Sequence, residues 1–301
     1  MKLADLHCDT PLEMYKRNCG LENDLLQISL THSAKYAAYI QCAAIWSDYR
    51  LSAPQAYDVF TKAAKDFRTK AGNLLCTNGK SLTDHGTAFI LCVEDARILC
   101  GNMDLLFRLY LEGVRILTLV WKGHSEIGGA WDTDEGLTPF GRSVVEACFA
   151  IGIIPDVSHG SWVLCKDVLN MAESEKKPVI ATHSNAYAVT HTSRNITDTL
   201  CKQIAKSGGI IGISLCPAHL TTVSDCTSDD VLRHMEHYLT LVGEEGICLG
   251  CDFDGIDETP TDLYNISCME AFYDKAVCRF GSRAAGKIFF DNAFHFLKKN
   301  I

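Results

Sequence analysis

The chain has 301 residues, of which 47% are hydrophobic and 22% charged, which is typical of globular proteins and excludes a disordered or fibrous chain. It has 28 basic and 37 acidic residues, a formal net charge of −9, and no basic run, so nucleic acid and anionic membranes are not expected partners. Asp5, His7 and Asp9 interrupt the N-terminal segment before an apolar signal peptide could form. These features predict a soluble, cytoplasmic protein that does not insert into membranes.

The 15 cysteines are not expected to form disulfide bonds. Their number is odd, the chain is long, and most of them lie in apolar segments, where a thiol behaves as a small hydrophobic group. The CxxC motif from Cys248 to Cys251 falls in a predicted strand, where residues three apart point to opposite faces. The two thiols are therefore not expected to share a zinc ion.

Short apolar segments rich in β-branched residues alternate with segments that have the apolar spacing of helices. Eight segments are predicted as strands: residues 3–7, 39–45, 88–93, 114–120, 153–157, 178–182, 210–215 and 247–251. The predicted helices cover residues 56–71, 105–112, 141–151, 162–172, 198–206, 230–242, 266–279 and 283–299.

Eight strand–helix units in about 250 residues match the size of a (β/α)8 TIM barrel. We therefore predict an α/β chain with a single domain over residues 1–301, in which additional C-terminal helices follow the barrel. An open, doubly wound sheet is the alternative, but no glycine-rich phosphate-binding motif follows the first strand.

In such barrels the chemistry lies where the strands end. Five of the eight predicted strands end on side chains that can bind a metal ion, namely His7, Asp9, Glu94, His159, His183 and Asp252. His7 and Asp9 are two positions apart and share one face of a strand, and imidazole with carboxylate suits a zinc-type ion. Three histidines and three carboxylates exceed the needs of one four-coordinate ion, whereas two bridged ions would use them all. On the residues alone, Asp252 is a sixth ligand.

The motifs that contain these residues follow one another in a recognisable order. They are DLHCDT at 5–10, VEDA at 93–96, LTPFG at 137–141, DVSH at 156–159, ATHSN at 181–185, GGIIG at 208–212 and GCDFDG at 250–255. Each is weak by itself, but the ordered set covers nearly the whole chain. It resembles the membrane (renal) dipeptidase family, the M19 metallopeptidases with a metallo-dependent hydrolase barrel.

This resemblance implies two zinc ions per chain. His7 and Asp9 would bind one ion, Glu94 would bridge both, and His159 and His183 would complete the second site. The implied reaction is hydrolysis of dipeptides, including those with a C-terminal D-residue, by a hydroxide that bridges the ions.

The resemblance also assigns roles around the metal site. Asp252 becomes the acid/base that shuttles a proton, and Arg194 binds the free carboxylate of a small dipeptide substrate. Mammalian members carry a histidine at the end of strand four, where this chain has Trp121, with His124 three residues on. A tryptophan N–H donates one hydrogen bond but cannot become charged. His219 falls on the loop after strand seven, which implies a place in the substrate pocket.

Two alternatives to a dipeptidase remain open. The same site could hydrolyse N-acyl amino acids, β-lactams or lactones, because fold and metal do not determine the substrate. The chain could also be a catalytically inactive, metal-dependent binding protein, an interpretation supported only by Trp121. Because the family is commonly dimeric, a homodimer is a further expectation.

Overall fold

The computed structural model describes residues 1–301. Its seven strands are β1 (Lys2–Asp5), β2 (Ala38–Trp46), β3 (Gly86–Glu94), β4 (Ile116–Thr118), β5 (Ile154–Asp156), β6 (Ile211–Ile213) and β7 (Ile247–Leu249). They form one sheet in the order β5-β4-β3-β2-β1-β7-β6, and every pairing is parallel. The predicted α/β class with a parallel sheet is therefore confirmed.

The helices cover the sheet and connect its strands. They are α1 (Thr10–Arg17), α2 (Leu30–Ser33), α3 (Ala53–Ala71), α4 (Met103–Leu111), α5 (Pro139–Ile151), α6 (Trp162–Glu175), α7 (Asp198–Lys206), α8 (Pro217–Leu220), α9 (Ser228–Val242), α10 (Met269–Phe280), α11 (Ser282–Gly286) and α12 (Asn292–Asn300). A π-helical turn, Lys287–Asp291, joins α11 to α12, and 3-10 turns lie at Gly72–Leu74, Gly79–Ser81, Ala96–Leu99 and Ile266–Cys268. None of the helices has both the length and the apolar character that a bilayer span requires.

The predicted strand at residues 178–182 differs from the other seven. Ile180 and Ala181 each make only one parallel bridge, Ile180 to Asp156 of β5 and Ala181 to Ile211 of β6. These two partners lie on the outermost strands of the sheet. The sheet is therefore curled, because both of its edges reach the same dipeptide segment.

Helix α1 was not predicted, although it begins directly after Asp9. Its first turn contains Pro11, whose fixed φ and missing N–H suit the start of a helix. Helices α5 and α6 start in the expected way, since Thr138 Oγ1 accepts from Gly141 N and Ser161 Oγ accepts from Leu164 N, each at 2.9 Å. The early start of α1 keeps Asp9 close to the end of β1.

The two faces of the curled sheet carry separate apolar cores. The inner core contains alternate strand residues together with side chains of α12 and its preceding turn: Ala4, Leu6, Ala38, Ile40, Cys42, Ala44, Ile90, Cys92, Ile116, Ile154, Cys248, Phe290, Phe294 and Leu297. The outer core lies between the sheet and the helices and includes Cys251. Cys248 and Cys251 thus belong to opposite faces, as predicted, and all 15 cysteines are free thiols.

Candidate metal centre

The imidazole of His7 faces three carboxylates just beyond the end of β1. Its Nε2 lies 3.5 Å from Glu94 Oε2, 3.6 Å from Asp9 Oδ2 and 3.8 Å from Asp252 Oδ1. All four side chains are nearly inaccessible to solvent. This half of the centre combines residues from both ends of the chain.

The other oxygen of Glu94 faces two further imidazoles. Oε1 lies 2.9 Å from His159 Nε2 and 3.3 Å from His183 Nε2, and the two nitrogens are 2.8 Å apart. Each carboxylate oxygen of Glu94 therefore points at a different set of nitrogen ligands. The structure brings together all six residues that were predicted for this centre from their positions at the strand ends.

The chemistry of this cluster fits divalent cations. His7 Nε2 and Asp9 Oδ1 are buried without a hydrogen-bond partner, which is uncommon for buried polar atoms. The ligand atoms of His7, Glu94 and His183 lie within 4.8 Å of one another, and so do those of His7, Asp9 and Asp252. Imidazole nitrogens and carboxylate oxygens in this mixture are typical zinc ligands.

Burial and neighbouring charges set the protonation of the three carboxyl groups. Burial raises the pKa of Glu94, but the three histidines outweigh this effect and hold that pKa well below its ordinary value. Burial and then the charge of Glu94 raise the pKa of Asp9 to about 6. The pKa of Asp252 is raised well above its ordinary value, first by burial and then by Glu94 and Asp9, although His7 acts against this. Glu94 is thus the most anionic member of the cluster.

Burial and neighbouring charges also give the three histidines different pKa values. Burial would lower the pKa of His7, but Glu94, Asp9 and Asp252 raise it well above the ordinary value. Burial and then the Arg194 charge lower the pKa of His159 to about 4. The pKa of His183 is lowered well below its ordinary value by burial and by His7. His159 and His183 are therefore neutral, which is the form of imidazole that binds a metal ion.

Several residues of the centre adopt backbone conformations that are unfavourable for side chains other than glycine. The φ angles are 65° at His159, 67° at Asp252 and 63° at Asp254, all in the left-handed region. Asp254 fixes the loop after α1, because its carboxylate accepts from Thr10 Oγ1 at 2.6 Å and from Gln27 N at 2.7 Å. Its side chain therefore stabilises the wall of the site rather than facing the metal ligands.

A cavity of about 1110 Å³ opens above the cluster, and its lining includes Asp9, Glu94, His159, Arg194 and Asp252. His7 and His183 lie deeper, with 2% and 1% of their surfaces exposed. Only part of the cluster is therefore open to a molecule in the cavity.

Arg194 is held against His159 and His183, the two histidines that face Glu94 Oε1. It is 4% exposed, and its Nε donates to His159 Nδ1 at 3.1 Å. Its two terminal nitrogens donate to Ser184 Oγ at 3.2 Å and to the His183 carbonyl at 2.9 Å. A guanidinium has five N–H donors, so two remain for a molecule in the cavity.

Trp121 also lines the cavity and belongs to an aromatic wall that was not predicted from the sequence. Its ring stacks on Tyr49 at 5.3 Å between centroids, contacts Trp46 edge-on at 5.0 Å, and lies 5.9 Å from His159. Trp46 is the last residue of β2, so the strand-end rule could have found it. His124 lies at the surface, where it pairs with Glu135, and does not line the cavity.

His219 also lines the cavity. Its Nε2 lies 3.9 Å from Cys216 Sγ, and burial followed by the Arg194 charge lowers its pKa well below the ordinary value. His219 thus presents a neutral ring to the cavity and makes no contact with the metal-binding cluster.

Comparison with known proteins agrees with this geometry. A sequence profile of the membrane dipeptidases, peptidase family M19, matches residues 1–300. Dipeptidase aclJ of Aspergillus oryzae is 32% identical over 186 residues, which cover 59% of this chain and 43% of that protein. Dipeptidase 3 of Mus musculus is 27% identical over 300 residues, which cover 92% of this chain and 60% of that protein. This chain thus matches less than two thirds of the length of each.

A solved structure with the same fold is the metallopeptidase from Rhodobacter sphaeroides liganded with a phosphinate mimic of the dipeptide L-Ala-D-Ala. It superposes with a TM-score of 0.88 over 100% of this chain and 99% of that one, at 23% sequence identity. Since the family profile covers residues 1–300, the chain belongs to the membrane dipeptidase family, peptidase family M19.

Proposed function

We propose that this protein is a zinc-dependent dipeptidase that hydrolyses the peptide bond of dipeptides, including those with a C-terminal D-residue. The observation that carries the proposal is Glu94, whose two oxygens face His7 on one side and His159 with His183 on the other, below a cavity that also contains Arg194. The dipeptidase names of two relatives and the dipeptide mimic held by a protein of the same fold support it.

Two zinc ions fit the donor set. His7 and Asp9 would hold one ion, His159 and His183 the other, and Glu94 would contribute one oxygen to each. When bound, such ions lower the pKa of a water molecule and polarise a carbonyl group.

Asp252 is the group of this chain that we assign to proton transfer. It lines the cavity, its carboxylate lies 3.8 Å from His7 Nε2, and its raised pKa makes it a stronger proton acceptor than an ordinary aspartate. It would take the proton of the attacking water and pass it to the leaving amine. The amine must be protonated to leave, so one carboxyl group serves both steps.

Arg194 would select substrates by their carboxylate. Its two remaining N–H donors can bind a carboxylate with two hydrogen bonds, and burial strengthens such an interaction. A carboxylate held next to His159 would lie close to the proposed metal ligands, which favours short substrates such as dipeptides. We assign Trp121 and His219, which line the same cavity, to the walls of the substrate pocket.

We further infer that residues 178–182 act as an eighth strand that closes the sheet into a (β/α)8 barrel, with a single domain over residues 1–301. The bridges of Ile180 to Asp156 and of Ala181 to Ile211 support this closure. Fifteen free thiols favour a reducing, cytoplasmic location. A homodimer stays a prediction from the family resemblance.

The test is hydrolysis of L,L- and L,D-dipeptides, N-acyl amino acids, a β-lactam and a lactone, followed by amine release for the amide substrates and by acid release for the lactone. Each substrate is assayed with untreated protein, after chelation, and after zinc is added back. Zinc-restored cleavage of dipeptides alone supports the proposal. Restored cleavage of the other substrates alone would retain the metal site and reject the dipeptidase assignment, whereas binding of zinc and dipeptide without any cleavage would favour a binding protein.

A further inference from the structure

A carboxylate that the proposed reaction does not use lies beneath the metal centre. Asp156 is the last residue of β5 and is 0% exposed. Its Oδ1 accepts from Ser158 N and Thr182 N, both at 2.9 Å, and its Oδ2 accepts from Thr118 Oγ1 and Thr182 Oγ1, both at 2.6 Å. All four partners are uncharged, so no salt bridge compensates for the cost of burying this carboxylate.

One of these partners also touches a proposed metal ligand. Thr182 Oγ1 lies 2.7 Å from His183 Nδ1 and 2.6 Å from Asp156 Oδ2, with His7 Nδ1 more distant at 3.4 Å. A hydroxyl has one proton, and Asp156 accepts a hydrogen bond from each of its four partners, so the Thr182 hydroxyl donates its proton to Asp156 Oδ2. Thr182 Oγ1 must then accept a hydrogen bond from His183 Nδ1–H. A neutral imidazole with its proton on Nδ1 has a free lone pair on Nε2.

The neighbouring histidine gives an independent check on this proton assignment. Arg194 Nε is always a donor and lies 3.1 Å from His159 Nδ1, so the proton of neutral His159 is on Nε2. That Nε2–H lies 2.9 Å from Glu94 Oε1 and 2.8 Å from His183 Nε2, so the contacts of His159 require no proton on Nε2 of His183. The assignment of the His183 lone pair to Nε2 rests on Thr182 and Asp156, and the contacts of His159 agree with it.

We propose that Asp156 is a positioning residue that acts through Thr182 to fix the tautomer and ring orientation of His183, so that Nε2 is ready to bind the metal ion. The inference rests on the proposed role of His183 as a ligand. Carboxylates that orient metal-binding histidines contribute to metal affinity without contacting the ion. Here a threonine hydroxyl lies between the carboxylate and the histidine.

The fold offers a matched pair of variants to test this role. Thr118 and Thr182 are both 1% exposed and both donate to Asp156 Oδ2 at 2.6 Å, but only Thr182 contacts His183. Thr182→Val and Thr118→Val therefore each remove one hydroxyl from the same carboxylate oxygen. Thr182→Ser retains the hydroxyl and serves as the conservative rescue.

The first readout is the ¹⁵N NMR spectrum of the imidazoles in the metal-free protein, with His183 assigned by the loss of its signals in His183→Gln. We expect His183 to carry its proton on Nδ1 in the unaltered protein, in Thr118→Val and in Thr182→Ser. In Thr182→Val we expect a mixture of the Nδ1 and Nε2 tautomers. The second readout is zinc affinity by competition with a chelator. We expect Thr182→Val to lose about 10- to 100-fold in affinity, the usual effect of removing such a partner, and Thr118→Val to lose much less.

A proton on Nε2 of His183 in the unaltered protein would overturn the proposal, and so would equal losses of zinc affinity in the two valine variants. If Thr182→Val does not fold, the spectrum of the unaltered protein still tests the proposal, because a proton on Nδ1 of His183 supports it and a proton on Nε2 rejects it. The zinc affinity of Thr182→Ser, which should match that of the unaltered protein, is the second measurement. Because the spectrum needs neither metal nor substrate, an Nδ1 proton in a protein that hydrolyses no dipeptide would reject the proposed function and retain the positioning role.

Discussion

Gly255 and Asp9 are so close that no larger residue fits at position 255. A Cβ atom on Gly255 would lie 2.2 Å from Asp9 Oδ2 and 2.6 Å from Asp252 Oδ1. Real Cβ atoms do not approach another atom this closely, so a side chain there would have to displace one of the two carboxylates. The glycine thus allows both carboxylates to reach the metal centre.

Gly255→Ala should therefore damage the metal site. A displacement of about 1 Å in a catalytic group can cost about 100-fold in rate, and we expect at least that loss in kcat/KM, together with lower zinc content. Gly286→Ala is the matched control, because no atom lies within 4 Å of its added Cβ and its φ of −59° suits alanine. A Gly255→Ala protein with normal zinc content and activity would show that the two carboxylates do not need their present positions.

Asp252→Asn separates proton transfer from metal binding. If Asp252 is the acid/base, kcat should fall by about 10²- to 10⁴-fold while both zinc ions remain bound. The readouts are steady-state kinetics and metal content, with Asp134→Asn as a control at an exposed carboxylate. Loss of one zinc ion would instead assign Asp252 as a ligand, the role that the residue pattern alone suggested.

Arg194→Lys tests recognition of the substrate carboxylate. Lysine keeps the charge but loses the planar fork, and hydrogen bonds to a charged group contribute about 1.5–3 kcal/mol, equivalent to about 10- to 150-fold in KM. The same variant is assayed on a dipeptide and on its C-terminal amide, which lacks the carboxylate. A rise in KM that is equal for both substrates would contradict the assignment of Arg194.

The pKa of Asp9 predicts how zinc binding depends on pH. Its pKa of about 6 in the metal-free protein lies above the ordinary value for Asp of about 3.9. Folding therefore favours its protonated form, and the stability that Asp9 gives the metal-free protein is present below about pH 4 and lost as the pH rises through about 6.

Zinc needs the carboxylate, so its affinity should fall about tenfold for each pH unit below about 6 through this group. The measurement is zinc affinity by competition across this range, in the unaltered protein and in Asp9→Asn. The variant should bind zinc more weakly and with a flatter pH dependence. An unaltered pH dependence in Asp9→Asn would exclude Asp9 as the titrating ligand.

The sequence predicted much of this site because strand ends are visible in a single sequence. His7 and Asp9 follow an apolar run at a spacing of two, and Glu94, His159 and His183 each terminate a similar run. Parallel strands bring their carboxyl ends to one edge of the sheet, so the proximity of these residues could be predicted without knowing which of them are in contact. Helices with clear apolar periodicity, such as α3 and α9, were likewise predicted close to their observed bounds.

Features that depend on contacts between distant residues were not visible in the sequence. The segment at residues 178–182 has the composition of a strand, but its pairing is limited to two single bridges, to Asp156 and Ile211. The roles of Asp156 and Thr182 depend on atoms 26 positions apart that no local pattern connects. The stacking of Trp121 on Tyr49 depends on how two loops pack.

The pairing of β1 with β7 has a consequence for how the site forms during synthesis. Asp252 N donates to the carbonyl of His7 at 3.0 Å, and Cys8 bridges Phe253, so the first and last strands hold neighbouring parts of the centre. Before β7 has been synthesised, a nascent chain contains His7 and Asp9 but lacks Asp252, which completes this part of the centre. If the centre binds metal ions as proposed, full affinity is reached only late in folding, after β1 and β7 have paired.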